Sequence, residues 1–227
     1  MRCQNVDKII SSAFPSVEKR QGILAIGAHP DDIELGCGAS LARLAKKGIY
    51  VTAVVMTSGE EESAKNSDRY HESSEALKIL GCQKIIHLNF SQTRTYMQLN
   101  DMITALEDVI ARQIPSEVEI MRVYTMHDID RHEEHLAVYQ ASMMACRDIP
   151  QIFGYETPGT WLSFIPQVFE SVDEEYFTLK LAALKKHKSQ SQHDYMHPER
   201  LRAVAQFRGH QVNIPLSEGF VIHKMIL

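Results

Sequence analysis

The stretch Ile23-Leu24-Ala25-Ile26-Gly27-Ala28-His29-Pro30-Asp31-Asp32 sets the reading of the fold. Ile23 to Ile26 make a short buried strand, and the chain then passes directly into a histidine, a proline and two aspartates. His29 and Asp32 are three residues apart on a turn, so both can face one point. Pro30 restricts the ways that turn can close. Asp31 cannot easily point the same way as Asp32, so one carboxylate can hold a metal while the other handles a proton. The alternative is that the aspartates cap a helix. A hundred positions on, Asp130-Arg131-His132-Glu133-Glu134-His135 supplies a complement. Two imidazoles to a carboxylate suit a divalent ion with one open position, as a catalytic zinc is held. His132 and His135, at i and i+3, share a face at a helix start. The alternative there is an exposed polar start, since Glu133 and Glu134 suit the positive end of a helix dipole.

Outward from this stretch, strands and helices alternate. Gly36 to Lys47 reads as a helix stopped by Gly48, and Tyr50–Thr57 as a β-branched strand. A polar loop, Ser58–Ser67, leads to a helix over about Asp68–Leu80, closed by Gly81. Lys84–Leu88 is a third strand. Leu99, Ile103, Leu106 and Ile110 repeat at helical spacing, and Val118–Thr125 is a fourth strand leading into the second histidine cluster. Leu136, Tyr139, Met143 and Cys146 mark the next helix. Beyond Pro150, strands near Gln151–Glu156 and Gln167–Val172, helices over about Asp173–His187 and Pro198–Phe207, and a last strand Phe220–Ile226 are expected. The alternation predicts an α/β fold with a mostly parallel sheet and helices on both faces. Ligands in such sheets bind outside the carboxyl ends of the strands, where both histidine motifs fall.

The chain has 227 residues, 44% hydrophobic, with a net charge of −5. That predicts one domain over 1–227. No basic block stands out, so nucleic acid is not an expected partner. The longest apolar run, near Tyr50–Met56, is far short of a membrane span, and Met1 to Arg20 lacks the core of a signal peptide. Cys3, Cys37, Cys82 and Cys146 are scattered and read as reduced thiols of a cytoplasmic protein. A homo-oligomer is compatible with all of this. His127, Asp128 and Asp130 read either as groups that orient the ligand imidazoles or as turn formers. Arg69 and Glu72 read as a surface ion pair, and Glu60, Glu61 and Glu62 as a solvated loop face. His187, His193, His197, His210 and His223 are dispersed, and Ser189–Gln192 reads as a polar loop. No GxSxG elbow or phosphate-binding loop is present, which argues against serine hydrolase and nucleotide chemistry.

Ala28-His29-Pro30-Asp31-Asp32-Ile33-Glu34-Leu35-Gly36 resembles the signature of the PIG-L/LmbE-like zinc N-deacetylases. Further matches follow in order: Thr57-Ser58-Gly59-Glu60, Arg69 with Glu72, Leu80-Gly81, Asp130 with His132 and His135, Tyr155-Glu156, Ser189-Gln190, Arg208-Gly209 and Glu218-Gly219-Phe220. The resemblance implies a Rossmann-like fold and hydrolysis of an N-acetyl group on an amino sugar or glycoconjugate. It implies that His29, Asp32 and His135 bind zinc, that Asp31 is the general base, and that His132 stabilises or protonates developing charges. Arg69 matches an arginine that helps hold substrate in relatives. Fe2+ or another divalent metal would also suit two histidines and an aspartate. Many relatives carry an aspartate after the third strand, where this chain has Leu88-Asn89-Phe90-Ser91-Gln92-Thr93-Arg94; the difference bears on the substrate. Arg69, Arg94 and the segment Asn89–Tyr96 are expected at the mouth of the metal pocket, with Phe90 and Tyr96 as apolar faces for a sugar ring.

Overall fold

The computed structural model describes residues 19–59 and 69–226, without the side chains of 92–94. A seven-stranded sheet forms the centre, in the order β3-β2-β1-β4-β5-β7-β6. Its strands are β1 (Arg20–Gly27), β2 (Tyr50–Thr57), β3 (Lys84–Phe90), β4 (Val118–Thr125), β5 (Gln151–Tyr155), β6 (Val168–Ser171) and β7 (Ser217–Met225). The first five run parallel; β7 pairs antiparallel with both β5 and β6. β1 sits between two parallel neighbours, with Ala25 opposite Ala53 of β2 and Tyr124 of β4. That position explains its unbroken apolar run, since both of its faces are covered.

The helices are α1 (Asp32–Lys46), α2 (Arg69–Ile79), α3 (Leu99–Asp108), α4 (Glu133–Ala145), α5 (Glu174–Leu184) and α6 (Pro198–His210). A 3₁₀ segment, Gln92–Gln98, precedes α3, and a π-turn, Val109–Gln113, ends it. The chain steps outward from β1 to β3, then crosses back to lay β4 on the other side of β1. Right-handed crossovers then put α1 and α2 on one face and α3 and α4 on the other. Accordingly α1 and α2 pack with α5, and α3 packs with α4. The reversal of direction between β1 and β4 opens the crevice in which such sheets bind ligands.

One boundary differs from the sequence reading in a way that matters. The helix expected from Gly36 begins at Asp32, so the His29–Asp32 turn is the helix entry itself. Its first turn, Asp32 to Leu35, is buried under the C-terminal elements. Gly36 then marks a close approach: a Cβ there would overlap the Tyr155 ring, whose hydroxyl donates to the Ile26 carbonyl at 2.8 Å. Cys37, Cys82 and Cys146 are buried and free, and Cys3 falls outside the described residues. No helix among the described residues is long and apolar enough to cross a membrane.

Candidate metal centre

The loops after β1 and β4 meet above the switch point. His29 Nδ1 and His135 Nε2 are 3.2 Å apart. Asp32 Oδ2 lies 3.4 Å from His29 Nδ1, and Asp32 Oδ1 lies 3.5 Å from His135 Nε2. All three residues are buried. A tetrahedral ion with bonds of about 2.0–2.2 Å needs its ligands about 3.3–3.6 Å apart. The two imidazole nitrogens come close to that spacing and each faces one oxygen of Asp32, so the three residues are grouped closely enough to hold a divalent ion. The other donor groups of these residues are directed. The His29 amide donates to Asp32 Oδ2 at 2.7 Å, and His135 Nδ1 lies 3.1 Å from Asp130 Oδ2. Asp130 is itself held by the His132 amide and by the hydroxyls of Thr157 and Thr160. This is the outer support that metal-binding histidines usually have.

The two adjacent aspartates are placed differently. Asp31 occupies the N-cap position of α1, yet its side chain makes no capping bond. The capping interpretation of the motif therefore fails for it. Its φ of 126° is a backbone conformation that residues other than glycine rarely adopt. Burial, and then the Asp32 charge, push the Asp31 carboxyl up to about 7. Burial alone would also raise Asp32, but the His135 and His29 imidazoles outweigh it and hold that carboxyl far below the ordinary range. Burial lowers the His135 imidazole, but the Asp32 and Asp130 carboxylates outweigh it and raise it to about 9.

Arg69 is not the surface ion pair that its spacing to Glu72 suggests. It is 2% exposed and donates to the carbonyls of Gly59 at 2.8 Å and Pro30 at 2.9 Å, with Asp31 Oδ1 at 3.7 Å. Glu72 instead accepts from the Ser189 amide and hydroxyl. The presumed polar loop 189–192 is thus tied to α2, and its Gln190 is buried. His132 lies at the cap of α4 with extended backbone, exposed, so it does not share a helical face with His135. Their rings nonetheless approach to 4.8 Å. Both line a cavity of about 370 Å3 with His29, Asp31, Asp32 and Arg69.

Of the segment 89–96, no residue whose side chain is described lines this cavity: Asn89 and Phe90 belong to β3, and Tyr96 is exposed near Gln140. The Arg94 side chain and residues 60–62 lie outside the described set. The far wall comes from Thr157, Pro158, Gly159, His193 and Tyr195, which the sequence reading did not single out. The turn-forming run Thr157-Pro158-Gly159 at the end of β5 is the signal that could have found part of it. His187 was also missed: it is buried against Glu34 at 2.8 Å, behind Asp31. His127 and Asp128 do not orient the ligand imidazoles; with His223 they form a separate group. There a Cβ on Gly154 would run into His223 Nε2, so the glycine lets the ring pack against β5.

The model for GlcNAc-PI de-N-acetylases, PIG-L, matches residues 24–146, more than half of the chain and both motifs. The chain belongs to the PIG-L family. Among its PIG-L relatives, the uncharacterized deacetylase YaiS of Escherichia coli (strain K12) is 74% identical over 185 residues, 81% of this chain and 100% of that protein. Diacetylchitobiose deacetylase of Thermococcus kodakarensis is 24% identical over 235 residues, 94% of this chain and 86% of that one. The crystal structure of GalB, the 4-carboxy-2-hydroxymuconate hydratase of Pseudomonas putida KT2440, superposes with a TM-score of 0.75. It is 19% identical and covers 91% of this chain and 98% of its own. Both curated PIG-L relatives are deacetylases, whereas the shared fold with a hydratase shows that architecture alone does not name the reaction.

Proposed function

We propose that this chain is a zinc-dependent N-deacetylase acting on an N-acetylated amino sugar or glycoconjugate. The observation that carries the reading is the convergence of His29 Nδ1 and His135 Nε2, 3.2 Å apart, on the Asp32 carboxylate, whose two oxygens lie 3.4 and 3.5 Å from one nitrogen each, with a second carboxylate beside it. A divalent cation held by those three residues supplies Lewis acidity, polarising an amide carbonyl and lowering the pKa of water to about 7. Asp31 takes the proton of the attacking water and returns it to the departing nitrogen. Arg69 positions Asp31 by holding the carbonyl of its chain neighbour Pro30, anchored in turn on the Gly59 carbonyl. His132, at the open rim, donates to the oxygen on which charge develops. Asp130 keeps the His135 ring turned so that Nε2 faces the other donors. Acetate and a free amine are the products.

Acetate release from a panel of N-acetylated sugars and non-sugar acetamides, with and without a chelator, tests this. Release from sugars that stops on chelation and returns with zinc is the expected result. Turnover that survives complete metal removal, or that is confined to non-sugar amides, overturns it.

A further inference from the structure

Leu35, Thr157, Pro158 and Tyr195, which line the metal cavity, also line a second, larger hollow of about 490 Å3. The size is that of an ordinary small-molecule site. Its remaining walls come from α6 and β7, with Leu201, Val204 and Ala205 among them. Charged side chains reach the hollow, and each has its own counterpart. Glu156 accepts from Nε and Nη2 of Arg208, at 2.8 and 2.6 Å, and Nη1 donates to Gln211. Lys180 donates to Glu218 at 2.7 Å and to the Leu35 carbonyl at 2.6 Å. Asp194 accepts from Arg200 at 3.1 Å. The Ser217 hydroxyl is engaged with the Glu170 carbonyl. What these pairs leave for a ligand is the apolar surface of Leu35, Pro158, Tyr195, Leu201, Val204 and Ala205.

We propose that this hollow receives an uncharged, apolar substituent, alkyl or aryl, carried on the amine side of the substrate. The side rests on the deacetylase reading: the acyl group released is acetyl, whose methyl is far smaller than the hollow. The hollow therefore belongs to the part of the substrate that is kept. A substrate with a bare or charged sugar would leave this surface wet, whereas a hydrophobic aglycone would dehydrate it. Each methylene buried there strengthens binding about fourfold.

The test uses methyl, n-butyl, n-hexyl and n-octyl N-acetylglucosaminides below their micelle concentrations. Calorimetry measures binding and acetate release measures turnover, for the zinc-loaded wild type, Val204→Leu and Val204→Glu. Val204 is 49% exposed, so both variants are expected to fold. Affinity should rise about fourfold per methylene in wild type and Val204→Leu and flatten in Val204→Glu. Affinity independent of chain length in wild type, or an undiminished slope in Val204→Glu, overturns the assignment of the hollow. Chain-length-dependent binding without acetate release supports the hollow and overturns the deacetylase reading. Acetate release without chain-length dependence does the reverse.

Discussion

At the scale of single residues, the adjacent aspartates make the sharpest case. Asp31→Asn keeps the shape of the side chain and removes its ability to accept a proton. Metal content should stay at the wild-type level while the rate falls by about 10²–10⁴-fold; metal analysis beside single-turnover kinetics separates the two, and near-wild-type turnover would move the base elsewhere. Asp130→Asn acts one shell out. Losing the carboxylate on His135 Nδ1 should weaken the ion about 10–100-fold, measured by chelator competition. His187 offers a test in pH. Burial on its own would lower its pKa, but the Glu34 carboxylate outweighs that and raises it. A raised folded pKa means the stability it contributes is complete below about pH 6.5 and is lost as pH rises through the folded value. The urea midpoints of wild type and His187→Gln should therefore be furthest apart near pH 6 and draw together as pH rises above the ordinary histidine value. A constant gap across that range would show that His187 does not change charge on folding differently from a free histidine. That His29, Asp32 and His135 would come together was legible because their residue types are rare in that spacing. Arg69 and His187 were not, because an arginine near a glutamate and a lone histidine carry no sign of burial in sequence.

At the scale of elements, α1 shows both what periodicity can do and where it stops. Its middle follows the apolar spacing of Leu41, Leu44 and Ala45, and its end follows Gly48. Its beginning does not, since the first turn holds Asp32, Glu34 and Leu35 in full burial and shows no polar face to mark an entry. The Gly36 contact with Tyr155 is equally invisible in sequence, because it joins residues on separate elements. Gly36→Ala should lower stability by about 1–3 kcal/mol through overpacking, although alanine is the better helix former. A rise in the denaturant midpoint instead would mean that the Tyr155 ring has room to move. The 3₁₀ segment Gln92–Gln98 was read as an open loop because its run of polar residues has neither helical nor strand period.

At the scale of the molecule, the alternating pattern was enough for a parallel sheet, and the strand-end rule was enough to expect two distant motifs side by side. The antiparallel pairing of β7 between β5 and β6 was beyond reach, since pairing direction depends on how the chain returns and not on strand composition. The cavity's far wall was lost for the same reason: Pro158 and Tyr195 arrive from that irregular C-terminal third. The switch point also has a consequence in time. His29 and His135 are 106 residues apart, and their loops meet only when β4 lies against β1. At about 5–20 residues per second, a ribosome takes roughly 5–20 s to move from the first donor to the last. Through that interval the nascent chain presents a histidine and an aspartate with no third partner, too few to capture an ion. On the proposed ligand set, an ion is therefore taken up only after the fourth strand and the loop that carries His135 have left the ribosome.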